Sequence, residues 1–176
     1  MPTKRAGDMM IPLEKYPHIP HWFTLRQAVA EIKNSQLEVG GQRSLPRSVL
    51  VFDEKYHLLG VARRRDILRG LEPKFLKTMP MAHRRQLFDI EADPDLTVLS
   101  VGRVAQAVRE QADQPISVVM QPIMDTVEYN DHITKIIYKM ISKDLDLLPV
   151  MKDNRIVGVV RSVDAFNEIA NILLEE

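Results

Sequence analysis

Two stretches of this chain repeat one another: Gly60-Val61-Ala62-Arg63-Arg64-Arg65-Asp66 and Gly158-Val159-Val160-Arg161-Ser162-Val163-Asp164. Each runs glycine, two small apolar residues, arginine, two variable residues, aspartate. An internal repeat fixes the architecture before any single motif is weighed.

The likeness extends upstream. Leu25, Ala28, Val29 and Ile32 follow the i, i+3, i+4, i+7 spacing, and so do Ile133, Ile136, Ile137 and Met140. That is the apolar stripe of a short amphipathic helix. Thr24 is placed to cap the first helix, with Gln27 as capping-box partner, and Asp131 to cap the second. Further upstream, Met10-Ile11-Pro12 matches Met120-Gln121-Pro122. Each unit reads Met-x-Pro, extended segment, helix, strand, turn, strand, Gly…Asp, helix.

Ile133 lies 108 residues after Leu25, whereas Gly158 lies 98 after Gly60. The first unit therefore carries ten extra residues between its helix and its strand. They fall within 36–47, where Gly40-Gly41 predicts a loop.

The strands come as pairs of apolar runs split by a polar turn. In the first unit these are 48–52 and 58–62 about Asp53-Glu54-Lys55; in the second, 147–151 and 156–160 about Lys152-Asp153-Asn154. Pro149 lacks an N–H and is expected at a strand start or edge. A helix follows each aspartate, with Ile67, Leu68 and Leu71 apolar in the first and Phe166, Ile169, Ala170 and Leu173 forming a stripe in the second.

The length of 176 residues fits one domain or two small lobes sharing a core. The 24 Lys and Arg balance 24 Asp and Glu, so charge alone gives no reason to expect nucleic acid or an acidic membrane as partner. The absence of cysteine excludes disulfides, thiolate metal sites and cysteine nucleophiles. No apolar run approaches the roughly 20 residues needed to cross a bilayer, and no apolar signal core follows Met-Pro-Thr-Lys-Arg. The expectation is a soluble cytoplasmic protein.

At this point the residues resemble a known family. Each unit looks like a CBS motif, and the tandem pair looks like a Bateman module. The second unit carries the likeness in Met120-x-Pro122, the stripe at 133–140, Leu148-Pro149-Val150 and Gly158…Asp164. The first carries it in Met10-x-Pro12, the stripe at 25–32, Val51-Phe52-Asp53 and Gly60…Asp66, departing at Leu50, where the second unit has Pro149. The resemblance implies an α+β fold of two β-α-β-β-α motifs, residues 1–72 and 115–176, packed about a pseudo-two-fold axis, with an extra helical connecting segment at 73–114. It implies clefts between the motifs that hold adenosine nucleotides as regulatory ligands, and pairing into homodimers. No cofactor is required.

The ligand contacts implied by the resemblance are Met10, Ile11, Pro12, Leu50, Arg63, Arg64, Arg65 and Asp66 in the first unit. In the second they are Met120, Pro122, Val127, Pro149, Arg161, Ser162 and Asp164. Gly60 and Gly158, without Cβ, let backbone approach either a ligand or a neighbouring strand. Asp66 and Asp164 stand at helix starts, where a carboxylate caps N–H groups; in nucleotide-binding relatives this aspartate accepts from the ribose hydroxyls. Such relatives usually have Thr or Ser three residues after the glycine, where this chain has Arg63 and Arg161. Arginine there either fills the cleft or supplies charge to a phosphate chain. Arg63, Arg64, Arg65 and Arg69 make the first cleft the more cationic, favouring a multiply charged nucleotide; a solvated helix face is the plainer reading of the same run.

Within 73–114, Val98, Val101, Ala105 and Val108 form a helical stripe, capped by Thr97 or Asp95, that covers either the module's flank or a partner. Lys74, Lys77, His83, Arg84 and Arg85 are followed by Asp89, Glu91, Asp93 and Asp95, blocks of opposite sign able to neutralise each other. No catalytic motif or metal-ligating pair is expected: His18-Ile-Pro-His21 spans a proline, and no P-loop, Gly-x-Gly-x-x-Gly or Gly-x-Ser-x-Gly run occurs. The reading is a stand-alone, non-enzymatic module that senses a nucleotide and controls a protein partner in trans. The alternative is a ligand-free interaction scaffold. Nucleic-acid binding through Arg63–Arg69 is weaker, given zero net charge.

Overall fold

The computed structural model describes residues 4–39, 41–74 and 101–174. The first unit comprises α1 (Ala6–Met9), β1 (Ile11–Pro12), β2 (His18–Pro20), α2 (Leu25–Asn34), β3 (Leu37–Val39), β4 (Gln42–Ser44), β5 (Ser48–Phe52), β6 (Leu58–Arg63) and α3 (Arg64–Leu71). Then come α4 (Val101–Gln111), β7 (Gln121–Pro122), β8 (Val127–Glu128), α5 (Ile133–Lys143), β9 (Leu147–Lys152), β10 (Arg155–Arg161) and α6 (Ser162–Leu174). Apart from β3 and β4, the order repeats as the sequence predicts.

Local chemistry sets the helix starts. Thr24 Oγ1 accepts the Gln27 N–H at 3.2 Å, and Gln27 Oε1 accepts the Thr24 N–H at 2.8 Å, a complete capping box. The helix buries Leu25, Ala28 and Ile32. Its counterpart α5 buries Ile133, Ile136 and Met140, but its cap is His132, not Asp131. His132 Nδ1 accepts the Thr134 N–H at 3.3 Å, while Asp131 Oδ2 accepts the Glu128 N–H at 2.9 Å and closes the turn before the helix.

The expected loop at 36–47 is corrected to a hairpin. Strands β3 and β4 pair with Leu37 opposite Ser44 and Val39 opposite Gln42. Gly41 takes a φ of +78° in the connection, a conformation open to glycine without a Cβ penalty. Leu37 is buried and anchors the hairpin. In the second unit, Asp153 and Asn154 both adopt positive φ between β9 and β10, the geometry of a two-residue hairpin turn.

The two sheets run β2-β5-β6-β7 and β1-β10-β9-β8. The first strand of each unit is thus exchanged: Pro122 of β7 lies opposite Gly60 of β6, and Pro12 of β1 lies opposite Gly158 of β10. The glycines are explained by that exchange. A Cβ on Gly60 would collide with the Gln121 carbonyl oxygen, and one on Gly158 with that of Ile11. Of the two uses open to these glycines, close approach of a strand is the one realised.

The exchange extends to the flanks. Ala6 N–H donates to Asp131 O at 2.8 Å, Lys4 Nζ pairs with Glu168 at 2.6 Å, and Ala6 lies in the second unit's core beside Val127 and Ile136. Conversely, Ile116 lies in the first unit's core with Leu25 and Val49, and Leu25 N–H donates to Gln114 O at 2.9 Å. Helix α4 packs on α3; Thr97, Asp95, Val98 and the charged blocks from Lys77 to Asp95 lie outside the described residues. A third cluster, Ile11, Tyr16, Leu37, Leu50, Phe52 and Val159, draws on both units and joins the sheets.

Candidate functional site

The chain enters α3 and α6 in the same way. The Arg64 N–H donates to Arg47 O at 2.8 Å, and the Ser162 N–H donates to Asp146 O at 2.8 Å. Both helix starts open into one cleft of about 550 Å3, within the range of small-molecule sites. Its walls include Val61, Pro122, Leu145, Leu147 and Pro149, and its rim includes Val39 and Arg43 of the hairpin and Leu45 just after it. Tyr16 and Ser48 form its floor, joined hydroxyl to hydroxyl at 2.8 Å and both buried. Burial pushes the Tyr16 phenol up, against the lowering effects of the Ser48 bond and the nearby Arg161.

Both repeat aspartates are committed to the arginine three residues earlier. Asp66 Oδ2 accepts from Arg63 Nε at 2.8 Å and from the Arg63 N–H at 3.1 Å, and Oδ1 accepts from Nη2 at 3.1 Å. Asp164 repeats the pattern with Arg161 at 2.9, 3.0 and 2.6 Å. Burial works against the Asp66 charge, but the Arg63 hydrogen bonds and the charges of Arg63 and Arg69 outweigh it and hold the carboxyl below its ordinary value. The same bonds raise Arg63 and Arg161. In this arrangement the aspartates cap helices and anchor arginines, and neither presents a free oxygen pair to a ligand.

Three further arginines of the cleft, Arg47, Arg64 and Arg65, have no carboxylate within ion-pair distance among the described residues. All three are exposed. To the same cleft the second unit contributes Asp125, Asp144 and Asp146. Asp125 is neutralised: Lys139 and Lys143 reach its two oxygens at 2.8 and 2.9 Å. The Lys139 bond, aided by Lys143 and the Thr126 N–H, holds that carboxyl far below its usual range.

Of the residues singled out in the sequence, Arg63, Arg64, Arg65, Pro122, Pro149, Arg161 and Ser162 meet at the cleft. Asp66 and Asp164 stand buried behind their arginines. Leu50 and Ile11 are buried in the layer between the sheets, and Val127 in the second core. Met10 packs on the second core and Met120 on the first. Pro12 lines a separate shallow depression with His18 and Tyr56. Pro149 is the third residue of β9, and β8 pairs with that strand only from Val150 onward. Unforeseen were Tyr16, Ser48, the hairpin residues and the three aspartates. Arg47 and Asp146 had a usable signal, since each directly precedes a strand of the repeat.

Two α+β units with exchanged first strands enclose a cleft at paired helix starts. Residues 116–171 match the family model of the CBS domain. That match covers the second unit, and the whole chain has the fold of a CBS-domain pair. A CBS domain-containing protein of unknown function from Kribbella flavida is 18% identical with a TM-score of 0.64, over 94% of this chain and 99% of that one. The CBS domain of a membrane protein from Sphaerobacter thermophilus is 18% identical with a TM-score of 0.63, over 94% and 87%. The cytosolic domain of the Mg2+ channel MgtE, solved in complex with ATP, is 18% identical with a TM-score of 0.58, over 93% of this chain and 48% of that one. No curated protein sequence matches the chain. Among the described residues no helix is long and apolar enough to cross a membrane, and no group of three His, Cys, Asp or Glu side chains could hold a metal ion.

Proposed function

We propose that this CBS pair is a non-catalytic regulatory module that binds an adenosine nucleotide in the cleft and controls a protein partner in trans. The observation that carries this reading is the set of guanidinium groups without a carboxylate partner among the described residues, Arg47, Arg64 and Arg65, gathered beside the start of α3 in a cavity of about 550 Å3. Guanidinium groups bind phosphate through paired donors, and a helix N-terminus favours an anion. The ATP complex of the MgtE cytosolic domain supports the same ligand class. Because the cleft walls come from both units, a ligand bridging them would bind one relative angle better than another, and the partner would read that angle. A cytoplasmic setting belongs to the same reading.

Calorimetric titration with AMP, ADP and ATP tests it. Heat of binding that weakens in an Arg64→Ala/Arg65→Ala variant is the expected result. No binding of any of the three at millimolar concentration overturns nucleotide sensing.

The scaffold reading is favoured by two observations. Arg63 and Arg161 occupy the aspartates that would meet a ribose. In addition, α5 and α6 expose Tyr138, Ile141, Phe166 and Leu173, each 70% or more exposed, although three of the four are large apolar side chains suited to a helix-face contact. The homodimer belongs to this surface. Light scattering of the wild type against Phe166→Glu tests it, with a shift toward monomer expected.

A further inference from the structure

The repeat is symmetric in backbone but opposite in charge. Arg47 and Asp146 occupy one and the same place, each giving its carbonyl oxygen to the first N–H of the following helix. Where the first unit then sets Arg64 and Arg65, the second sets Ser162 and Val163. Arg161 and Asp125, which the second unit also brings to the cleft, are already matched: Arg161 to Asp164, and Asp125 to Lys139 and Lys143. Asp144 and Asp146 have no cationic partner in ion-pair contact among the described residues, and their charges act on Arg63. Asp146 Oδ1 takes the Ser162 hydroxyl at 3.3 Å, leaving Oδ2 with capacity to accept.

Resting on the nucleotide reading above, we infer that the cleft takes one nucleotide per chain in one orientation, with its phosphates on Arg47, Arg64 and Arg65 and its ribose hydroxyls on Asp146. A phosphate chain in the second half would face two uncompensated carboxylates, and like charges at such range repel. A hydroxyl there donates instead to the charged oxygen, a bond stronger than one between neutral groups. Asp146 thereby takes the acceptor role that Asp66 and Asp164, filled by their arginines, do not offer.

The test is calorimetry on the full chain with adenosine, ATP and 2′-deoxy-ATP, for the wild type, Arg64→Ala/Arg65→Ala and Asp146→Asn. All three substituted positions are exposed, and thermal melting checks that the variants fold. One site per chain is expected. The double arginine variant should weaken ATP by about tenfold or more while leaving adenosine unchanged. Asp146→Asn should weaken adenosine and ATP alike and erase the preference for ATP over its deoxy analogue. Two sites per chain, equal loss of adenosine and ATP in the arginine variant, or tighter ATP binding in Asp146→Asn overturns the inference alone. The last result would place the phosphates beside Asp146. Absence of all nucleotide binding overturns the nucleotide reading and this inference together.

Discussion

Arg161 clasps Asp164 with two parallel hydrogen bonds, Nε to Oδ2 at 2.9 Å and Nη2 to Oδ1 at 2.6 Å, while its own N–H reaches Oδ2 at 3.0 Å. One carboxylate thus serves as helix cap and as counter-charge to a side chain that is only 16% exposed. Asp164→Ala removes both functions and leaves a largely buried guanidinium without its carboxylate, so unfolding free energy should fall by about 2–4 kcal/mol. Urea denaturation reads this. The Arg161→Ala/Asp164→Ala double variant should lose clearly less than the two single losses added together, and strict additivity would contradict the coupling.

Gly60→Ala and Gly158→Ala each drive a methyl into a carbonyl oxygen of the exchanged strand. Each should cost about 1–3 kcal/mol, because the strand must shift and its pairing loosen. Gly102→Ala is the contrasting substitution: a Cβ there meets nothing within 4 Å in α4, and the helix should gain about 0.5–1 kcal/mol. Denaturation midpoints of the three variants compare them directly.

The Tyr16–Ser48 pair predicts a non-additive cycle. Both hydroxyls are buried and bonded to each other at 2.8 Å. Tyr16→Phe or Ser48→Ala alone leaves one polar group without its partner and should cost about 1–3 kcal/mol. The double variant should cost little more than either single, since it leaves no unsatisfied group.

Acid should weaken the fold through Asp66 and Asp125. Both are held below the ordinary carboxyl value of 3.8, so each contributes stability in full above that pH. That contribution is lost progressively as pH falls below 3.8 toward each folded-state value, because the unfolded chain then takes up protons that the folded one refuses. Asp125→Asn, at the more strongly depressed group, should flatten the decline of stability below pH 4 more than a substitution at an exposed carboxylate such as Glu54. Chemical denaturation at several acidic pH values measures it.

Much of the fold was legible because its signals are local. The stripe at 25–32, the Thr24–Gln27 box and the paired apolar runs each depend on residues a few positions apart, and each appears where expected, except that Val29 of the stripe is exposed. The hairpin was missed because its strands are three residues long and Gly40-Gly41 marks a turn without saying whether strands flank it. His132 was missed as a cap because its ring nitrogen stands in for the usual hydroxyl or carboxylate. The α6 stripe was real, but Phe166 and Leu173 face outward rather than into the core.

The sequence by itself determined the two-fold repeat, the order of elements and the glycine and aspartate positions, because periodicity, capping and repeat spacing act over short stretches of chain. Only the tertiary structure decided that Gly60 meets Pro122 and Gly158 meets Pro12, since strand pairing between residues so far apart leaves no local trace. It also decided the charge of the cleft. Arg47, Arg64, Asp125 and Asp146 come from separate segments, and their fields combine only where packing brings those segments to one cavity.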